Sequence, residues 1–131
     1  MTRTVKRAAK ILVVEDEQIV AMDMELQLTA FGYQVTGIAT TGPEALRLAE
    51  TTSPDLVVMD VQLNGALDGI STAEALQRRS AMPVVFVSAF GSSETQRRAH
   101  NASPLGYLTK PFRPEELRAL VAAALEQKAH G

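Results

Sequence analysis

"LVVMD", residues 56–60, is the stretch whose reading decides the fold. Four apolar residues, Leu56 to Met59, run without alternation and stop at Asp60, which ionises at neutral pH. A half-buried strand alternates apolar with polar, and a surface helix spaces its apolar residues by three or four. A short unbroken run fits neither, and suits a strand of a parallel sheet covered on both faces. A carboxylate at the end of such a strand then calls for a reason.

Outward from this run, the same unit repeats. Ile11 to Val14 is a second compact apolar run, followed by Val20, Met24, Leu28 and Phe31 at the spacing of one helical face, with Gly32 as the stop. A strand is expected over Tyr33–Ile38, then a helix opened by Gly42-Pro43 through Ala45, Leu46 and Ala49 and broken at Ser53-Pro54. After Asp60, Ile70, Ala73 and Leu76 mark a third helix, and Val84 to Val87 a fourth strand. Ser92 to Ala102 has helix length but almost no large apolar residue, so it buries little and is expected to be the loosest helix. Leu105 to Leu108 is the fifth strand, and Pro114 starts a last helix with a core face of Leu117, Leu120, Val121 and Ala124. Five strand–helix repeats with continuous strands predict a doubly wound α/β domain.

Composition agrees and narrows the function. The chain has 131 residues, 46% hydrophobic and 21% charged, which suits one domain with a proper core. Its net charge of -2 provides no basic field, so neither nucleic acid nor an anionic membrane is the expected partner. There is no cysteine, which removes disulfides, thiolate metal sites and a thiol nucleophile. No stretch reaches the roughly 20 apolar residues of a membrane span, and the basic start, Arg3, Lys6, Arg7 and Lys10, leads into no signal-peptide core. The cytoplasm is the expected location. The Met residues 22, 24, 59 and 82 read as fillers, and His100 and His130 as surface residues.

In doubly wound sheets, ligands bind beyond the carboxyl ends of the strands. At those ends stand Glu15, Asp16 and Glu17, then Asp60, Ser88, and Thr109 with Lys110. Several carboxylates brought to one edge repel each other unless a cation joins them. Oxygen donors without His or Cys suit a hard ion such as Mg²⁺. Beside such an ion, Asp60 can attack a phosphoryl group and form an acyl phosphate, with Lys110 offsetting charge and Ser88 donating a hydrogen bond.

On "ILVVEDE", "LVVMD" with "DG" after it, "VVFVSAF" and "GYLTKPF", in this order and spacing, the chain resembles the receiver domain of two-component response regulators over residues 10 to 128. The resemblance implies a flavodoxin-like fold, five parallel strands in the order 2-1-3-4-5, as a receiver domain at 10–129 behind a flexible basic arm at 1–9. Carried over by position, it makes Asp60 the phosphoacceptor, Asp16 a direct Mg²⁺ ligand and Glu15 a ligand directly or through water. The backbone carbonyl of Gln62 would complete the metal shell. Ser88 would be the hydroxyl that turns toward the phosphoryl group, Tyr107 the aromatic that rotates with it, and Lys110 the phosphate-contacting lysine. The Lys110-Pro111 bond is expected to be cis.

The implied partners are a histidine kinase or histidine phosphotransfer protein upstream and a protein partner downstream. The readout face would be the fourth helix, fifth strand and fifth helix, which would also serve a homodimer. Met1 favours a natural start, and with no output module in these 131 residues the chain either acts alone or is one domain of a longer protein.

Two departures from the family pattern stand out. Glu15 occupies a place that is often Asp. In the loop "DVQLNGALDG", Leu63 and Asn64 replace the Met-Pro of many receivers, and the loop is one residue longer. It resembles a subgroup found as isolated domains or fused to sensor kinases. Two other readings compete: a metal-dependent phosphohydrolase and a pseudo-receiver that only binds partners. The hydrolase would carry a second Asp two residues after the nucleophile, where this chain has Gln62, and the set Asp16, Asp60, Ser88 and Lys110 argues against the pseudo-receiver.

Overall fold

The computed structural model describes residues 8–65, 67–89 and 91–130, with the backbone alone at His130. The expected basic arm therefore lies largely outside the described residues, as does the side chain of His130. The elements are β1 (Lys10–Val14), α1 (Gln18–Ala30), β2 (Gln34–Ala39), α2 (Gly42–Thr52) and β3 (Leu56–Met59). They continue with α3 (Gly69–Ser80), β4 (Val84–Ser88), α4 (Ser93–Asn101), β5 (Gly106–Thr109) and α5 (Pro114–His130). All strand pairs are parallel and the order is β2-β1-β3-β4-β5, as the resemblance implied.

The unbroken apolar strands have the cause expected of them. Along β1, Ile11 and Val13 enter one core with Ala21, Met24 and Leu28 of α1 and Leu117 and Val121 of α5. Leu12 and Val14 enter the other, with Ala45 and Ala49 of α2, Ile70 and Leu76 of α3 and Ala99 of α4. Leu56 to Met59 are wholly buried. Burying a side chain of this size is worth about 1.5–3 kcal/mol, so alternate residues hold a helical layer on each face.

Element ends differ slightly from the sequence expectation, for local reasons. The N–H of Tyr33 closes the end of α1 by donating to the Leu28 carbonyl at 3.1 Å, while that of Gly32, at φ +98°, donates to Thr29 at 3.0 Å. Tyr33 is thus spent on the helix cap, and β2 starts at Gln34, whose N–H reaches the Ala9 carbonyl at 2.9 Å. Leu105 donates to Val84 at 2.8 Å, one residue ahead of β5.

As its composition predicts, α4 buries little: Ala99 alone within its span. Side-chain contacts position it instead. Arg98 pairs with Asp68 at 3.2 Å, and His100 stacks on Tyr107 of β5. Among the described residues no helix is long and apolar enough to cross a membrane.

Candidate functional site

The sheet ladder continues one residue beyond the strands and so sets the backbone of the site. Asp60 donates its N–H to Val14 at 2.9 Å, Glu15 to Ala39 at 2.9 Å, and Lys110 to Ser88 at 3.0 Å. These three residues, from three different strand ends, meet at one edge. The Lys110 ammonium donates to Glu15 Oε1 and, at 3.2 Å, to Asp60 Oδ2. Asp16 joins them, so that one carboxylate oxygen from each of Glu15, Asp16 and Asp60 lies within 4.8 Å of the others.

Each acid also accepts one backbone N–H. Glu17 donates to Glu15 Oε2 at 3.2 Å, Gln62 to Asp60 Oδ1 at 3.0 Å, and Asn64 to Asp16 Oδ2 at 3.2 Å. The cleft opens over Asp16, Asp60, Gln62, Asn64 and Lys110. Glu15 and Asp60 are buried and Asp16 is half-buried. Burial pushes the Glu15 carboxyl up to about 7, against the Lys110 hydrogen bond. Burial also works against the Lys110 ammonium, but its hydrogen bond to Glu15 and the charge of Asp60 prevail and hold it above its usual value.

The three acids carry more charge than one lysine balances, and their oxygens converge. An all-carboxylate donor set with space on the cleft side fits a hard divalent ion that keeps part of its water shell. Ser88 ends β4, buried, beside Thr109 in the sheet register. Lys110-Pro111 is cis, as expected.

The loop between β3 and α3 is braced at its far end. Asp68 caps α3 by accepting the Ser71 N–H at 2.8 Å. Gly69 sits so close that a Cβ there would lie 1.9 Å from the Asp60 carbonyl oxygen. That close approach is why "DG" follows "LVVMD", and it locks α3 onto the strand that carries Asp60.

Tyr107 faces α4, and its hydroxyl shares a 2.9 Å hydrogen bond with His100 Nδ1. The rings stack with centroids 5.9 Å apart and planes at 9°. Sequence reasoning gave His100 no partner, since no spacing rule links a residue late in α4 to the middle of β5. It also did not foresee the Asn64–Asp16 contact or the Arg98–Asp68 ion pair.

A family model described as the response regulator receiver domain matches residues 11–122. The chain belongs to that family. Among curated proteins, this receiver domain is 36% identical over 118 residues to the transcriptional regulatory protein PdtaR of Mycobacterium tuberculosis, covering 90% of this chain and 57% of that protein. It is 33% identical over 119 residues to the phyllosphere-induced regulator PhyR of Methylorubrum extorquens, covering 90% of this chain and 44% of that one. The chain thus spans about half the length of these relatives. Among solved structures, the signal receiver domain of a modulated diguanylate cyclase from Desulfovibrio desulfuricans superposes with a TM-score of 0.88 at 35% identity, covering 93% of this chain and 97% of that one. A CheY-like receiver domain protein from Methanospirillum hungatei gives 0.85 at 25% identity over 94% and 98%. The family is a regulatory signalling domain of two-component systems.

Proposed function

We propose that this receiver domain, residues 10–129, accepts a phosphoryl group on Asp60 from a phosphohistidine of a kinase or phosphotransfer protein, with Mg²⁺ in the cleft. The observation that carries the reading is the convergence of Glu15, Asp16 and Asp60 within 4.8 Å, with Lys110 on two of them. The ion would be held by Asp16 and Asp60, by Glu15 directly or through water, and by the Gln62 carbonyl. Once bound it offsets charge on the transferring oxygens.

An Asp60 carboxylate oxygen attacks phosphorus, and the phosphorus–nitrogen bond to the donor histidine breaks with its electron pair returning to the ring. Lys110 shifts from pairing carboxylates to pairing the new phosphoryl oxygens. Ser88 donates its hydroxyl to one of them, and Tyr107 leaves His100 and turns inward, which repositions α4. The downstream reader is a protein that docks on α4, β5 and α5.

The upstream partner has a landing surface beside the cleft. Three residues past Asp16, α1 exposes Ile19 (84%), Met22 (56%) and Leu26 (69%) along one outward stripe. Large apolar side chains left open in a row beside a reactive site suit a partner that covers them while presenting its histidine.

The test is incubation with a small acyl phosphate and Mg²⁺, followed by intact mass of wild type and Asp60→Asn. One added phosphoryl on wild type alone is expected. No gain, or equal gain on the variant, rejects the reading, and many turnovers per second of phosphate release would favour a phosphohydrolase.

A further inference from the structure

Of the three clustered acids, Glu15 and Asp60 are tied to Lys110. Asp16 is half-buried, and among the described residues the N–H of Asn64 is the one hydrogen-bond donor that reaches its carboxylate, at 3.2 Å across 48 positions of sequence. Gln62, two residues earlier in the same loop, gives its N–H to Asp60. Alternate amides of one loop thus hold two acids from two strand ends. A proline at 64, which the family pattern described above carries there, has no N–H to give.

We propose that the backbone N–H of Asn64 is the positioning group of Asp16, holding its carboxylate in the orientation that receives the divalent ion. The inference rests on the phosphoacceptor reading of the cleft. A side chain tied at Oδ2 keeps Oδ1 for the ion and has lost its torsional freedom before the ion arrives. The replacement of Met-Pro by Leu63-Asn64 is then a change in how the metal site is organised.

The experiment is calorimetric titration of the whole chain with Mg²⁺, repeated with Mn²⁺ by paramagnetic resonance, on wild type, Asn64→Pro and Asn64→Ala. Loss of one hydrogen bond to a charged group predicts that Asn64→Pro binds either ion more weakly by about tenfold or more. Asn64→Ala, which keeps the N–H, binds as wild type does. Equal affinity of wild type and Asn64→Pro overturns the inference and leaves the phosphoacceptor reading standing, as does an equal loss in both variants. Wild type that binds neither ion overturns both. Should Asn64→Pro not fold, the Asn64 amide in wild type decides: its proton resonance and exchange protection should collapse in Asp16→Ala, and an unchanged amide rejects the contact.

Discussion

The Tyr107 hydroxyl meets His100 Nδ1 at 2.9 Å with the two rings stacked, so the aromatic of β5 and a helix that buries one alanine within its span are held to each other. The contact stabilises the outward position of Tyr107 and the present position of α4 together. His100→Ala removes the hydrogen-bond partner of Tyr107 and the stacking surface. One hydrogen bond is worth about 1 kcal/mol, so the unphosphorylated variant should shift toward the inward tyrosine by about fivefold. Carbon-labelled tyrosine resonances check this, and identical Tyr107 ring shifts in the two proteins would sink the idea.

The charge balance of the cleft predicts opposite effects for two substitutions. Lys110→Ala leaves Glu15 and Asp60 facing each other without a cation, and in metal-free buffer it should destabilise the fold by about 2 kcal/mol. Asp60→Asn removes one of the repelling carboxylates and should stabilise by about 1 kcal/mol. Urea denaturation at neutral pH measures both; the same sign for the pair contradicts the account.

Gly69 has no room for a methyl group, since its Cβ would fall 1.9 Å from the Asp60 carbonyl oxygen. Gly69→Ala must push α3 away from β3, at about 2–3 kcal/mol of stability. A melting temperature equal to that of wild type would show that the loop adjusts freely.

Far from the cleft, Asp55 accepts the Lys10 N–H at 2.7 Å and pairs with Lys128 at 3.3 Å. The Lys10 hydrogen bond holds its carboxyl below the ordinary 3.8, so the unfolded chain takes up this proton first as pH falls. The stabilisation is full above 3.8 and is lost as pH drops through the lower, folded value. In urea titrations at stepped pH, the gap between wild type and Asp55→Asn should close with acid. A gap that stays constant would exclude Asp55 as its source.

The docking role proposed for the exposed stripe of α1 can be tested apart from the chemistry. Leu26→Glu should slow phosphoryl transfer from a phosphohistidine protein by tenfold or so, as loss of one apolar anchor predicts. It should leave phosphorylation by a small acyl phosphate unchanged. Equal slowing with both donors would place the effect in the cleft instead of the docking surface.

Most of the architecture was readable from local pattern. The run Leu56 to Met59 implied two covered faces, and the structure places helices on both. The strand-end rule named Glu15, Asp16, Glu17, Asp60, Ser88, Thr109 and Lys110, because parallel strands bring residues remote in sequence to one edge, and of these Glu15, Asp16, Asp60 and Lys110 meet in one cluster. Errors at element ends came from backbone N–H groups claimed by a neighbour, as when Tyr33 closes α1 instead of opening β2.

The sequence by itself therefore determined the layers, the strand order through its family motifs, and which acids share an edge, since hydrophobic period and motif spacing are local quantities. Only the tertiary structure decided that Lys110 takes Glu15 and Asp60 while Asn64 takes Asp16, and that His100 stacks on Tyr107. Those choices turn on distances of about 3 Å between groups carried by separate loops and helices. No pattern along the chain encodes them, because a hydrogen bond depends on where two backbones cross and not on how far apart they lie in sequence.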